Sequence, residues 1–185
     1  MEINELNECL KNCDPDALAI ETQGWQVAFK NHVEELGAQY LSMSNREVFT
    51  NLISVKNYRT RRLHTNCEQL GVWVKIGDIC YIEYGANYIN EAGYQHFGLI
   101  VAMNNKKACV IPMTSNERVC KEALHNAKHH LFYLGKIEGM AKVSALFLND
   151  MRYINTARII DVKAHINCDD ELFKRIKKAV IMSLK

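Results

Sequence analysis

Three polar side chains flank two apolar runs, and their types suit proton transfer and hydrogen bonding. His96 precedes the run at residues 97–103, and Thr114 with Ser115 follows the run at residues 108–113. An imidazole accepts and donates protons near neutral pH, and a hydroxyl donates a hydrogen bond. If the two runs form an antiparallel hairpin, His96 and Thr114 meet at one rim of the sheet. The alternatives are an ordinary surface histidine and an ordinary turn at the end of a strand.

A second group of polar side chains has the residue types of a metal site. His125 and His129 are four residues apart, with Cys120 and His130 nearby. Two histidines at this spacing share a zinc ion when they lie on one helix. However, no glutamate follows His125, as the zinc-protease motif requires. Because the stretch is polar and falls between predicted strands, we predict a flexible loop there, with no metal and no cofactor.

The composition is that of an ordinary globular protein. Of its 185 residues, 48% are hydrophobic and 24% charged, and the net charge of +2 does not by itself indicate nucleic-acid binding. The seven cysteines are odd in number and scattered, which predicts reduced thiols in the cytoplasm. The first residues are acidic and polar, and apolar runs stay well below the ~18 residues of a membrane helix. We therefore predict no secretion signal and no membrane association.

Helical patterning dominates the first third of the chain. Asp14-Pro15 is a typical helix start, because Asp can cap free amides and Pro fits the first turn. Gly37 is a typical stop. Ser44 and Glu47 have the spacing of a capping box, which marks a second start. The sequence therefore predicts at least two helices, with a break between Gly37 and Ser44.

After Gly71 the pattern changes to short apolar runs separated by turns. A long polar loop is predicted over residues 85–95, and tight turns at residues 77–78 and 104–107. The predicted strands are residues 72–76, 79–84, 97–103, 108–113, 131–134, 142–148 and 157–162. Short strands joined by turns are typical of a small antiparallel barrel or sandwich.

A last helix is predicted over residues 169–184. It begins with acidic residues, which the helix dipole favours at this end. Leu172, Ile176 and Val180 recur every four positions on one face, and this spacing predicts that the helix packs on the sheet through them.

Five segments between residues 75 and 162 share the order and spacing of one known family. They are Lys75–Ile82, Glu91–Phe97, Gly98–Val101, Val110–Ser115, and Val143–Ser144 with Asn149–Ile154. These segments, about half of the chain, resemble the MazF/PemK family of toxin endoribonucleases. His96-Phe97 stands where that family has Arg-Pro, and Asn149-Asp150 where it often has Glu-Gln or Asp-Gln.

The resemblance implies a fold of the α+β class, an SH3-like small antiparallel β-barrel with a C-terminal helix, usually a homodimer. On this basis residues 67–185 form the barrel domain with its helix. Residues 1–66 form a helical N-terminal extension outside the usual family pattern, as in a divergent member. We interpret this extension as an interaction domain or as a built-in substitute for an antitoxin.

The resemblance also implies cleavage of single-stranded RNA without metal, leaving 2′,3′-cyclic phosphate ends, and an antitoxin protein as partner. The implied catalytic residues are His96, in place of the arginine, and Thr114. The implied RNA-binding residues are Ser115, Asn149, Asp150, Glu91 and Lys75. The alternative function is a catalytically inactive barrel that binds RNA or protein.

Two further groups of side chains have alternative roles. Tyr84, Tyr88 and Tyr94 lie in or beside the long loop, where they either stack on bases or pack in the barrel. Basic residues crowd the end of the second predicted helix, where they either face water and favour the helix C-terminus or contact RNA. They are Arg59, Arg61, Arg62 and His64.

Overall fold

The chain forms two compact units in a computed structural model that describes residues 3–11, 13–21 and 23–183. The units are Met1–Phe49 and Thr50–Lys185. The domain boundary predicted after residue 66 stays a prediction, because compactness alone does not test which segments fold independently.

The smaller unit is helical. Helix α1 spans Ile3–Lys11, α2 spans Gln23–Leu41, and α3, spanning Asn45–Arg61, begins in this unit and ends in the larger one. The predicted capping box is confirmed: the Ser44 amide donates to Glu47 Oε2 at 2.8 Å, and the Glu47 amide lies 3.4 Å from Ser44 Oγ. This reciprocal pair satisfies amides that the first turn of α3 leaves without partners.

The other two helix signals were wrong, although the predicted pair of helices is present. Asp14 begins a turn instead of a helix, because its carboxylate accepts the Asp16 amide at 3.0 Å and its carbonyl the Ala17 amide at 3.1 Å. Such local bonds compete with helix formation. Helix α2 continues through Gly37 to Leu41, since an interior glycine weakens a helix without having to end it.

The larger unit is built on a seven-stranded antiparallel sheet. The strands are β1 Asp78–Glu83, β2 Gln95–Asn104, β3 Lys107–Thr114, β4 Leu131–Gly135, β5 Ser144–Phe147, β6 Arg152–Asn155 and β7 Ile159–His165. Their order is β4-β5-β3-β2-β1-β7, and β6 also pairs with β3. The α+β class is confirmed. Closure into a barrel stays a prediction, because the observed order is open between β4 and β7.

The hairpin of β2 and β3 matches its prediction closely. Asn104 pairs with Lys107, and the two residues between them have φ values of 43° at Asn105 and 65° at Lys106. Two left-handed residues make the turn that suits a twisted two-residue hairpin. This turn fixes the register of the strands and therefore which residues stand opposite each other at their far ends.

Three segments differ from the sequence prediction. Residues 72–76 are irregular, with Val72 and Val74 packed against the core without strand pairing. The stretch from Cys120 to His130, where we predicted a flexible loop, begins within helix α4, spanning Glu117–Leu124, and only residues 125–130 lie outside regular helix and strand. Asn116 Oδ1 caps the first turn of α4 by accepting the Val119 amide at 3.2 Å. Strand β6 was not anticipated.

The closing helix packs as predicted. Helix α5 spans Glu171–Ser183 and buries Ile176 completely, with Leu172 and Val180 partly buried against the same core. Phe173, which the four-residue spacing did not select, is also buried there. Among the helices in the described part of the chain, none is both long and apolar enough to span a membrane.

Candidate functional site

The ends of β2 and β3 farthest from their turn open on a cavity of about 520 Å³. The pairing of these strands ends at Gly98 opposite Pro112. His96 and Thr114 lie two residues beyond this pair on their respective strands, and both line the cavity together with Ser115. The structure therefore brings together three of the residues singled out from the sequence.

His96 is exposed, and the backbone holds one of its ring nitrogens. Its Nδ1 lies 2.5 Å from the carbonyl oxygen of Gly93. Because a carbonyl can only accept, Nδ1 must be the donor. In the neutral ring Nε2 then carries no proton and can accept one.

Gly93 is constrained in turn by the loop around it. A side chain at this position would begin 1.7 Å from Asn87 Oδ1 and 2.8 Å from Asn87 Cβ. The side-chain nitrogen of Asn87, Nδ2, donates hydrogen bonds to the carbonyl oxygens of Tyr88 at 2.9 Å and Glu91 at 2.5 Å, which hold this side chain in place. The glycine therefore lets the backbone come close enough to orient His96.

The two hydroxyls stand at the start of the connection to α4. Thr114 is half-buried, and its Oγ1 accepts the Asn116 amide at 3.1 Å. Since that contact occupies a lone pair, the hydroxyl hydrogen stays available for donation. Ser115 is exposed beside it. Both side chains can donate to an anionic oxygen in the cavity.

Two lysines that sequence reasoning missed add positive charge to the cavity. Lys142, just before β5, and Lys163, on β7, both line it. Among the described residues that line this cavity, none is Asp or Glu. Lys163 is paired with Asp161, and hydrogen bonding to Lys163 lowers the pKa of that carboxyl below its usual range. No local pattern marks either lysine, because both are brought here by strand pairing.

Four other predicted site residues lie outside this cavity. Lys75 is exposed, and its amide donates to Asp78 Oδ2 at 2.7 Å. Glu91 and Asn149 are exposed. Asp150 has two structural contacts, since it accepts the Ala92 amide at 2.6 Å and is paired with Arg152. Asp150 thus anchors the long loop that carries Gly93.

The three tyrosines have different environments. Tyr84 is buried, burial raises its pKa, and the Arg152 guanidinium lies 5.6 Å from its ring centre. Packing is therefore the role that its surroundings support. Tyr88 is 84% exposed in the loop, and Tyr94 is half-buried with a left-handed φ of 52°.

The histidines considered for a metal do not share a helix. Helix α4 ends at Leu124, so His125 is its last capping residue and His129 lies in the following turn. Within residues 3–11, 13–21 and 23–183, no three His, Cys, Asp or Glu side chains gather closely enough to hold a metal ion.

Comparison with known proteins gives matches among solved structures. No protein-family model and no curated protein matches the sequence. The chain is similar to an endoribonuclease in complex with its cognate antitoxin from a mycobacterial species, with 11% identity and a TM-score of 0.45. It is also similar to MazE-MazF from Deinococcus radiodurans, with 13% identity and a TM-score of 0.43. Each match covers 60% of this chain and 95% of the other, and at such identity the similarity concerns the fold alone.

Proposed function

We propose that this chain cleaves single-stranded RNA without a metal ion, at the cavity lined by His96, Thr114 and Ser115. One observation supports this most directly: a histidine whose Nε2 is left as the acceptor shares a cavity with two hydroxyl donors and two lysines. A phosphodiester is the anionic group that such a set of residues would bind and act on.

In the proposed reaction the RNA supplies its own nucleophile. His96 Nε2 accepts the proton of a 2′-hydroxyl, whose oxygen attacks the adjacent phosphorus. The bond from phosphorus to the 5′-oxygen breaks, and that oxygen takes up a proton from the protonated imidazole or from water. Thr114 and Ser115 donate to the non-bridging oxygens as their negative charge increases. The products are a 2′,3′-cyclic phosphate and a 5′-hydroxyl.

Single-stranded RNA is the proposed substrate because in-line attack requires a backbone that can rotate freely. Lys142 and Lys163 would attract the reacting phosphate. Asn149, Asp150, Glu91 and Lys75 are proposed, from the family resemblance, to contact nucleotides on either side of the cleaved bond. The same resemblance supports a homodimer and an antitoxin partner that covers the cavity. The odd number and scattered positions of the cysteines support a cytoplasmic location.

The first test is cleavage by purified protein in the presence of EDTA. We expect a mixed-sequence RNA to be cut, with 2′,3′-cyclic phosphate and 5′-hydroxyl ends identified by mass spectrometry. Replacing the 2′-hydroxyl with a 2′-O-methyl group should abolish cleavage, because the attacking oxygen is blocked. Loss of activity in EDTA, or products with 5′-phosphate ends, would contradict the mechanism.

The second test addresses His96. His96→Ala should lower the rate by on the order of a hundredfold or more, the usual contribution of a general acid–base group. His96→Arg, which restores the residue of the resembled family, should keep part of the activity. The rate should fall as the pH is lowered, because a protonated imidazole cannot accept the 2′-hydroxyl proton. If His96→Ala cuts as fast as the parent, the assignment is wrong; if the parent binds RNA without cutting it, the chain is a binding module.

A further inference from the structure

A second, larger cavity lies in the unit Thr50–Lys185, between residues 50–61 of α3 and the ends of β1 and β7. Its volume of about 860 Å³ falls within the usual range for sites that hold small molecules. The surrounding side chains include Tyr58 and the four basic residues at the end of α3 that were noted in the sequence. The cavity is separate from the one that contains His96.

The only acidic residue among the described residues that line this cavity is Glu83, and it is fully engaged. Oε1 accepts Ser54 Oγ at 2.5 Å and the Gly85 amide at 2.9 Å. Oε2 accepts Asn57 Nδ2 at 2.8 Å and Gln95 Nε2 at 2.6 Å. With four donors from the chain, this buried carboxylate is stabilised without pairing to a cation.

Two arginines of the cavity are held in place by carbonyl groups. Arg61 Nη1 donates to the carbonyls of Ala157 and Ile159, at 3.1 and 2.9 Å. Arg158 Nη1 donates to those of Glu83 and Tyr84, at 3.2 and 2.9 Å. A guanidinium has five N–H groups in a fixed plane, so each side chain is oriented while keeping donors for another partner.

Within the described chain, neither Arg61 nor Arg158 lies within salt-bridge distance of a carboxylate. Arg61 is half-buried, and burial lowers its pKa, an effect that the charge of Glu83 partly offsets from a distance. Arg59 and Arg62 add two exposed guanidiniums to the same cavity. Four arginines therefore line a site whose one carboxylate already accepts four hydrogen bonds. Arg158 is exposed like Arg59 and Arg62, and this excess of positive charge favours an anionic ligand.

We infer that this cavity binds the phosphate of a nucleotide, with the four guanidiniums around the phosphate oxygens and the ring of Tyr58 against the base. Planar guanidinium groups match phosphate geometry with paired hydrogen bonds. Tyr58 is 63% exposed at the cavity, and an aromatic ring there can stack on any base. A free nucleotide and a nucleotide unit of an RNA strand present the same chemistry. This site does not depend on cleavage at His96.

The test is binding by the full-length protein in low salt, measured by calorimetry. The probes are uridine and adenosine, their 5′-monophosphates, and a 2′-O-methyl RNA decamer, which the proposed cleavage reaction cannot cut. The variant is Arg59→Gln/Arg62→Gln, since both side chains are exposed and their loss should not disturb folding. The matched control is Lys174→Gln/Lys178→Gln, which removes the same charge from exposed positions of α5 outside the cavity.

We expect the phosphorylated probes to bind the parent and the lysine control alike, and the arginine variant on the order of tenfold more weakly or worse. If the monophosphates and the decamer both bind, a free nucleotide is sufficient as the ligand. If only the decamer binds, the ligand is an RNA strand. The inference is overturned if nucleosides bind as well as their monophosphates, if the arginine variant matches the parent, or if no phosphorylated probe binds. These binding results do not depend on whether the protein cleaves RNA in EDTA, so the proposed function and this inference can fail separately.

Discussion

At the scale of single residues, the Gly93 carbonyl determines what His96 can do. It holds Nδ1 as a donor and leaves Nε2 to exchange protons with a substrate. The proposed base is therefore set by backbone geometry instead of by a neighbouring carboxylate. Thr114 has the complementary constraint, since its oxygen accepts the Asn116 amide and its hydrogen is left to donate.

Thr114 gives a direct test of the donor role. Thr114→Val keeps the shape of the side chain and removes the hydroxyl, so kcat/KM for RNA should fall by on the order of a hundredfold. Thr114→Ser, the matched control, keeps the hydroxyl and should retain most of the activity. Thermal melting should be recorded for both variants, because the valine also loses the contact with the Asn116 amide. Equal activity of the two variants would exclude the donor role.

The cysteines allow a test of burial that is independent of function. All seven are free thiols; Cys168 is exposed, whereas Cys80 is buried and its burial raises the pKa to about 12. The thiolate is the reactive form, so a raised pKa keeps Cys80 protonated and inert at about pH 8. Iodoacetamide followed by peptide mass spectrometry should modify Cys168 first and Cys80 only after urea is added. Equal labelling rates in the native protein would contradict this core.

Which residues share a site was only partly readable from the sequence. His96 and Thr114 could be placed together because a short turn joins their strands, so local signals determine the register. Lys142 and Lys163 could not, since they reach the cavity through pairings between segments distant along the chain. Glu83 was also missed, because alternation within β1 gives no indication that two of its four donors, Ser54 and Asn57, come from α3.

At the scale of elements, Gly77 joins the start of β1 to the segment after β7. Its amide donates to the Ile100 carbonyl at 2.9 Å, and its carbonyl accepts the Ile166 amide at 2.8 Å. The residue has a φ of +94°, and a Cβ there would lie 2.2 Å from the Ile166 carbonyl oxygen. Both the backbone conformation and the close approach therefore require glycine.

We expect Gly77→Ala to lower the free energy of unfolding by about 3 kcal/mol or more, since backbone strain and the clash act together. The matched control is Gly71→Ala. Gly71 has a φ of +73°, but in the described structure a Cβ there would meet no atom within 4 Å. Its cost should be the conformational part alone, about 1–2 kcal/mol. Urea denaturation measures both variants, and equal losses would show that the Ile166 contact is unimportant.

Elements were predictable where their signals were local and strong. The Ser44 and Glu47 capping box located α3, and the turn at Asn105 and Lys106 located the hairpin. The alternating run at residues 72–76 looks like a strand, but whether it pairs depends on a neighbouring edge that local patterning does not reveal. The polar composition of the stretch before β4 predicted a loop, and the cap that starts α4 there, Asn116, is a residue type equally common in turns.

At the scale of the whole molecule, side chains of residues 50–66 hold this segment against the rest of its unit by hydrogen bonds. Ser54 and Asn57 donate to Glu83, and Arg61 donates to two carbonyls. Removing residues 1–49 keeps these contacts, whereas removing residues 1–66 deletes them and uncovers the Glu83 carboxylate.

The two truncations should therefore behave differently. We expect the chain beginning at Thr50 to unfold cooperatively, and the chain beginning at Cys67 to be less stable by on the order of 2 kcal/mol or more and less soluble. Thermal melting and size-exclusion chromatography of both proteins measure this. A soluble chain beginning at Cys67, with the stability of the longer one, would show that residues 50–66 are dispensable for the fold.

Strand β3 has neighbours along both edges, with β2 on one side and first β6 and then β5 on the other. Pro112, which has no amide hydrogen, lies between the stretch paired with β6 and the stretch paired with β5. Each amide of β3 is bonded to only one of its two neighbours, but because both edges are paired, the strand exchanges with deuterium only when a neighbouring strand separates from it. Thr114 terminates that strand, so local breathing of the loops leaves its hydroxyl in place.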